Sequence, residues 1–314
     1  TFDNALVLPQ WQNTYGQGNN GQFSFVNGAG SGIADGVDES WGPRLDAGLS
    51  IPQFDSPRSV PGFRGGDLNA PAGSTIQATP WVSQPNNITN FFQTGVTLNN
   101  SVAISGGNEK SNIRVSWTNL DQKGIVPNTD LKRNTISVHG ATKVTDKLTV
   151  NSSFNFQRTN SGNRPNISYG TENLMYLWIW YGRQINTANL RDYWMPGLEG
   201  VQQYNYNYNY HDNPYFNVFE NTNGQEKDRI FGNLSLNYKF TPKLSLMLRT
   251  GLDTYNELRD RKRAFSTQRF PKGNYREDDI SFSEQNSDFL LTYSETTKPV
   301  WSYSFALGGN SMVQ

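Results

Sequence analysis

The run "KLTVNSSFNF" at 147–156 sorts its residues by parity: Leu148, Val150, Phe154 and Phe156 fall on one set, Thr149, Asn151, Ser153 and Asn155 on the other. Successive side chains of a strand leave on opposite faces, so this period of two describes a ribbon with one apolar and one polar face. "RIFGNLSLNYKF" repeats the arrangement, with Ile230, Leu234, Leu236, Tyr238 and Phe240 opposed by Asn233, Ser235 and Asn237. "KLSLMLRTGL" does so again, setting Leu244, Leu246, Leu248 and Leu252 against Ser245, Arg249 and Gly251.

The pattern predicts an all-β chain with strands at 97–106, 110–120, 133–143, 147–158, 229–240, 243–256, 280–295 and 299–308. Each is near the ~9–11 residues that cross a bilayer with tilt. Every second connection is short ("GGNEKSN", "TDK", "TPK", "TTKP"), and the intervening ones, 121–132, 159–228 and 257–279, are long. Tight turns alternating with long loops predict part of a large antiparallel transmembrane β-barrel, turns on the periplasmic side and loops outside, with the lipid bilayer against the apolar face. A soluble β-sandwich binding module also alternates. Against it stand a polar face of Asn, Ser and Thr rather than Lys and Glu, and the length of 159–228, since sandwich connections stay short. "TKVTDKLTVNSSFNF" and "YKFTPKLSLMLRT" echo one another as hairpins. Aromatics are expected at the ends of the band: Trp117, Tyr238 with Phe240, and Tyr293 with Trp301.

Composition narrows the function classes. Hydrophobic residues make up only 35% of 314, with a mean hydropathy of −0.68, while aromatics reach 13%, which fits many strands wet on one face. Formal net charge is zero, and the basic run "RDRKR" lies in an expected loop, so nucleic acid is not an expected partner. No cysteine is present, removing disulfides, thiol nucleophiles and Cys-based zinc sites. His139, on the polar face of its strand, and His211 are far apart, and no GxSxG elbow occurs; no enzyme is expected. No run of 18 apolar residues exists, which excludes helical spans in this segment.

Two motifs invite ligand chemistry. Gly16, Gly18 and Gly21 in "TYGQGNNGQF" have GxGxxG spacing, but Pro9 breaks the upstream stretch and the downstream one is too glycine-rich for a helix. No cofactor is expected. "DGVDESWGPRLD" gathers Asp35, Asp38, Glu39 and Asp46, a set suited to Ca²⁺; its spacing is not that of an EF-hand, and a solvated acidic loop is the favoured reading over a loop cation.

Four runs carry a resemblance: "QNTYGQGNNGQF" at 12–23, "SWGPRLDAG" at 40–48, "NNITNFFQTGVTLNNSVAISGGNEKSNIRVSWTNLDQKGIVPNTDLKRN" at 86–134 and "DNPYFNVFENTNGQEKDRIFGNLSLNYK" at 212–239. In this order they resemble the SusC/RagA family of TonB-dependent outer-membrane transporters of Bacteroidetes, which work beneath a SusD-like surface lipoprotein. The resemblance implies a 22-stranded barrel of which this is an internal fragment, a plug, and a TonB contact made by a segment not included. It also implies import of oligosaccharide or peptide across the outer membrane of a Gram-negative, Bacteroidetes-like bacterium. A SusC-like barrel recruited as a structural subunit of a larger assembly or secretion complex is the alternative. On this reading residues 1–96 form a glycine-rich loop segment at the plug or first barrel strands, and 97–314 one barrel fragment. The motif residues Tyr15, Gly16, Gly18, Gly21, Trp41, Gly42 and Pro43 then predict tight turns and close packing, with Tyr15 and Trp41 pinning the loop.

Two stretches of 159–228 are candidate contact sites. In "TENLMYLWIWYGRQINTANLRDYW", Leu174, Trp178, Tyr181 and Ile185 have helical spacing, predicting a short helix over the barrel mouth. Trp178, Trp180 and Tyr181 would dock on the lipoprotein, or else pack within the loop. In "VQQYNYNYNYHDNPYF", Tyr204, Tyr206, Tyr208 and Tyr210 share one side if extended, and rings beside amides suit sugars or peptides. A structural loop strand is the other reading.

Overall fold

The computed structural model describes residues 8–23, 37–167, 169–297 and 301–314. Two short strands, β1 (Ser50–Ile51) and β2 (Thr79–Pro80), pair with each other. Eight longer ones follow: β3 (Val96–Gly107), β4 (Ser111–Lys123), β5 (Asp130–Lys143), β6 (Leu148–Ser161), β7 (Asn223–Lys239), β8 (Leu244–Thr267), β9 (Phe270–Thr297) and β10 (Trp301–Val313). They form one antiparallel sheet in sequential order.

Register turns the alternation of each strand into a property of the whole sheet. Ile104 lies opposite Val115, Trp117 opposite Ile136, and Ile136 opposite Phe156. The row continues from Val150 to Leu236, from Leu236 to Leu248, and from Leu248 to Phe289. A slip by one residue in any pair would carry that strand's apolar set to the polar face. The apolar face is uncovered: Ile104 is 76% exposed and Phe305 67%, and no buried hydrophobic residue among the described ones belongs to β3–β10. On the same face, charges end the band: Asp121 lies opposite Lys132, and Arg158 is 3.5 Å from Asp228. Between that row and the opposite turns, positions 148–156 of β6 and 230–238 of β7 span roughly 30 Å at ~3.3 Å per residue; with barrel tilt this matches an apolar band about 25 Å tall.

The hairpin echo has a hydrogen-bond origin. Thr145 Oγ1 accepts from the amides of Lys147 (3.2 Å) and Leu148 (3.0 Å), and Thr241 Oγ1 from those of Lys243 (3.2 Å) and Leu244 (3.1 Å). In each turn the threonine closes the loop from its own side chain.

Two expected loops prove shorter. β4 and β5 extend into 121–132, leaving residues 124–129 between them, and 257–279 is largely paired strand, with Arg261 opposite Arg276 and only Gln268 and Arg269 between β8 and β9. Beyond the band most residues on both faces of the hairpin are polar, with exceptions such as Leu258, Phe265 and Tyr275, so backbone pairing continues where side-chain alternation gives little contrast.

Residues 8–95, apart from those not described, and 162–222 fold together into a cap at the loop end of the sheet. Within it are α1 (Leu174–Ile179) and α2 (Pro214–Glu220). Asn213 caps α2 by accepting from the amides of Tyr215 and Phe216, with Pro214 in its first turn, and Asn173 caps α1 through Met175 N. The cap holds the molecule's hydrophobic core: Phe54, Ile88, Phe91, Leu177, Trp178 and Tyr204 are among its members.

Candidate functional site

The two glycine-rich runs pair with each other. Tyr15 bridges Arg44 and Gly18 bridges Ser40; the Gly16 amide donates to Pro43 O (3.2 Å) and the Gly42 amide to Gly16 O (3.0 Å). Gly18 (φ 137°) and Gly21 (φ 72°) occupy backbone conformations that favour glycine. Tyr15 and Trp41 touch, their ring centroids 5.7 Å apart, but Trp41 is 60% exposed. The buried aromatic here is Trp81, whose Nε1 donates to Pro43 O at 3.2 Å. No pattern in 76–85 marked it, because its hydrogen-bond partners, Leu49 and Pro43, are 32 and 38 residues away in the chain.

The candidate contact residues divide. Trp178, Tyr181, Tyr204 and Tyr206 are buried, at most 3% exposed, and so sit within the cap rather than on its surface. They pack on one another instead: Trp178 meets Phe91 and Tyr181 edge-on, and Tyr181 meets Tyr206. α1 ends at Ile179, short of the helix that spacing up to Ile185 predicts. The Tyr–Asn run is not an extended strand. Tyr204 OH donates to Phe54 O and Tyr208 OH to Gly66 O, while Asn205 Nδ2 donates to Asn207 O and Asn207 Oδ1 accepts from the Asn209 amide. Tyrosines fill the core and asparagines satisfy the backbone of a coiled loop. Trp180 is half-buried and Tyr210 is 40% exposed.

The acidic cluster disperses. Asp35 lies outside the described residues; Asp38 Oδ2 accepts from His211 Nε2 at 2.9 Å, and Asp46 pairs with Arg44 at 2.6 Å. Among the described residues no three His, Asp or Glu side chains converge for a metal ion.

Polar contacts bind the cap to the hairpin tip. Asn221 Oδ1 accepts from the Ala264 amide (3.0 Å) and Thr267 Oγ1 (2.9 Å), and Arg263 Nη2 donates to Glu172 Oε2 (2.7 Å). Asp212 Oδ1 accepts from Gln203 Nε2 and the Gln268 amide, both at 2.7 Å. Burial pushes the Asp212 carboxyl up to about 6 against the opposing pull of those two donors, with Glu172 adding to the rise and His211 opposing it. Deeper in the cap the buried guanidinium of Arg183 donates to Asn13 Oδ1, Asn87 Oδ1 and Pro85 O, joining three segments without a carboxylate. None of these contacts was expected from the sequence, for all but the Gln203–Asp212 bond pair residues more than 40 positions apart in the chain.

Below the cap the polar face of the sheet carries amides and ion pairs side by side. Arg249 pairs with Asp288 at 2.9 Å, Arg229 pairs with Asp253, and a concavity of about 490 Å³ lies among Asn155, Asn233, Arg249, Asp253 and Asn286. His139 sits on this face, opposite Arg114 and Ser153. Such a surface both donates to and accepts from a polar solute.

No protein-family model and no curated protein matches the chain. Among solved structures, it is similar to a chain of the RagAB peptide importer in its "closed-closed" state, at 16% identity and a TM-score of 0.50, over 72% of this chain and 25% of that one. Chains of the RagAB peptide transporter and of the importer in its "open-open" state match at 15% and 17% identity, each with a TM-score of 0.49, over 72% of this chain and 26% of theirs. This chain therefore spans about a quarter of the length of the first. The likeness shows the fold alone: the eight strands are part of a large antiparallel transmembrane β-barrel.

Proposed function

We propose that this chain is part of an outer-membrane importer that takes up an oligomeric nutrient, peptide or oligosaccharide, together with a SusD-like surface lipoprotein and driven through TonB. The observation that carries the reading is a pair of faces: an uncovered apolar band across all eight strands, backed by a polar face lined with amides and ion pairs. A soluble sandwich would bury the first face against a second sheet. The fold likeness to a chain of a peptide importer supports peptide as the cargo to test first. Chemistry at a catalytic centre has no part in the proposal; solute moves along the polar face and the cap sits over its entrance. Of the candidate contacts, Tyr210 and Trp180 are the ones this proposal assigns to lipoprotein or cargo, a reading supported by their lying outside the buried core.

The test is uptake by cells carrying the full-length protein, intact or with its TonB-contacting segment deleted, using fluorescent oligopeptides and oligosaccharides in parallel. Loss of uptake of one class on deletion supports import and names the cargo. Unchanged uptake of both overturns it.

A further inference from the structure

A second cavity, of about 410 Å³, opens between the cap and the upper ends of β7 and β8, and it is unrelated to the concavity on the polar face. Its volume falls in the roughly 300–1,000 Å³ range of small-molecule sites. Ile125, Val126, Leu174, Met175 and Val218 give it an apolar wall. The polar residues lining it include Arg164, Arg263, Asn221 and Glu172, and their hydrogen bonding is lopsided. Arg164 Nε, Arg263 Nε and Asn221 Nδ2 are all buried and all lack an acceptor. Each is a donor, and a buried donor left unmatched costs about 1–3 kcal/mol, more when charged.

The charges are uneven in the same direction. Glu172 is committed, its Oε2 accepting from Arg263 Nη2 at 2.7 Å and from Asn166 Nδ2 at 2.8 Å. The side chain of Arg164 has no ion pair or hydrogen bond among the described residues. Glu257, the carboxylate that acts on it, is already held by Arg259, Lys227 and Gln225, and Arg259 repels it. Burial pulls the pKa of Arg164 below the usual arginine value, as befits a cation short of an anion. Its backbone, by contrast, is fixed: Arg164 N donates to Asn223 O (2.9 Å) and Asn223 Nδ2 donates to Arg164 O (3.0 Å). An anchored backbone with an uncommitted guanidinium is preorganised for a planar oxyanion.

We infer that this cavity binds a carboxylate carried on an apolar body, with Arg164 as the cation, the Nε–H of Arg263 and the Nδ2–H of Asn221 as further donors, and Leu174, Met175 and Val218 against the apolar part. The inference rests on the cavity and not on the transport reading. A free organic acid and the C-terminal residue of a peptide present the same chemistry.

Binding to the purified full-length protein in detergent, by calorimetry or ligand-observed NMR, tests it with N-acetyl-leucine, its amide, and the tripeptide Gly-Gly-Leu. The acid is expected to bind and the amide to bind at least about tenfold more weakly, since the amide forfeits the charge-assisted contacts. Arg164→Gln should remove that preference, Arg164→Lys should keep most of it, and Arg276→Gln, which deletes the same charge from an exposed pair with Asp278, should change nothing. Arg164 makes no side-chain hydrogen bond, so a thermal melt of the Arg164→Gln protein should match the unsubstituted one. Tripeptide binding as tight as the acid's assigns the site to peptide ends, and binding of the acid alone assigns it to small acids. Equal affinity for acid and amide, no binding of either, or full affinity in the Arg164→Gln protein overturns the inference. Uptake that fails while this binding persists tells against import alone.

Discussion

In the sheet, Leu234, Leu248 and Phe305 stand exposed on a face with nothing packed against it; in the cap, Leu177, Trp178 and Phe216 are shut off from water almost completely. The two regions draw on the same aromatic-rich, leucine-poor composition and arrive at opposite environments. Between its two edges, β3 and β10, the sheet pairs its backbone groups in the ladder and so can hand its apolar side chains to a lipid solvent. The cap has little regular structure; side-chain amides such as Asn205, Asn207 and Asn213 do the pairing there, which lets a coiled backbone be buried around a dry aromatic core. What decides the role of an aromatic residue is therefore which backbone it sits on.

The contrast is broken most severely from inside the cap. Trp178→Ala removes a ring that touches Phe91, Phe92 and Tyr181, and a large cavity in a well-packed core costs about 3–5 kcal/mol. Limited proteolysis should then cut within 159–228 much faster while the strands stay protected. Equal cleavage rates would mean that the cap is not held by this core. Next in size is a charge on the apolar face: Leu234→Arg should destabilise the barrel by about 2–4 kcal/mol in liposome refolding, against almost nothing for Asn233→Arg on the polar face. If the two substitutions cost the same, the faces are not in different solvents.

The sequence made the sheet legible and left the cap almost unread, and the reason is the range of the interactions. Alternation at 148–156 or 230–238 is local, so the strands, their order and the face of each side chain follow from neighbours two residues apart. The hairpin arms at 257–279 escaped because water on both sides erases the contrast. In the cap, Arg183 reaches Asn13 and Asn87, His211 reaches Asp38, and Trp81 reaches Pro43. No period links such partners. The tyrosines of "YNYNYNY" carried a correct aromatic signal with the wrong geometry, because alternation in a coil does not imply a shared face. Arg164 and Arg263 carried no signal at all, since an unmatched donor exists only once the chain is folded.

Acid separates the regions by a further route. Asp212 is buried where the cap meets the hairpin tip, and its carboxyl is raised from an ordinary 3.8 to about 6. A raised carboxyl favours the protonated folded state, so its contribution is full below about pH 4 and is lost as pH climbs through about 6. The shift of about two units corresponds to about 3 kcal/mol, all of it in the cap. Cap stability, followed by hydrogen exchange of the Gln268 amide that bonds to this carboxylate, should fall between pH 4 and 7, and Asp212→Asn should flatten the profile. A profile that the substitution leaves unchanged would assign the titration to another group.

The smallest effect probes how closely the two glycine-rich runs approach. A Cβ on Gly16 would lie 2.2 Å from Trp81 Cζ2, 2.8 Å from its Cε2 and 3.0 Å from Leu45 Cδ2. The Trp81 ring is rigid, buried and tied through Nε1 to Pro43 O, so it cannot rotate aside. Gly16→Ala should therefore cost about 1–3 kcal/mol through overpacking. Gly21→Ala meets no atom within 4 Å but must hold φ at 72°, a left-handed backbone costing about 1 kcal/mol. The two penalties are close in size and differ in cause, which a double-substitution cycle with Trp81→Leu resolves. Shrinking the indole should relieve Gly16→Ala and leave Gly21→Ala untouched, because only the first penalty is made of contact with that ring. A Gly16→Ala cost that survives Trp81→Leu would place the constraint in the backbone pairing of Gly16 with Gly42 and Pro43 instead.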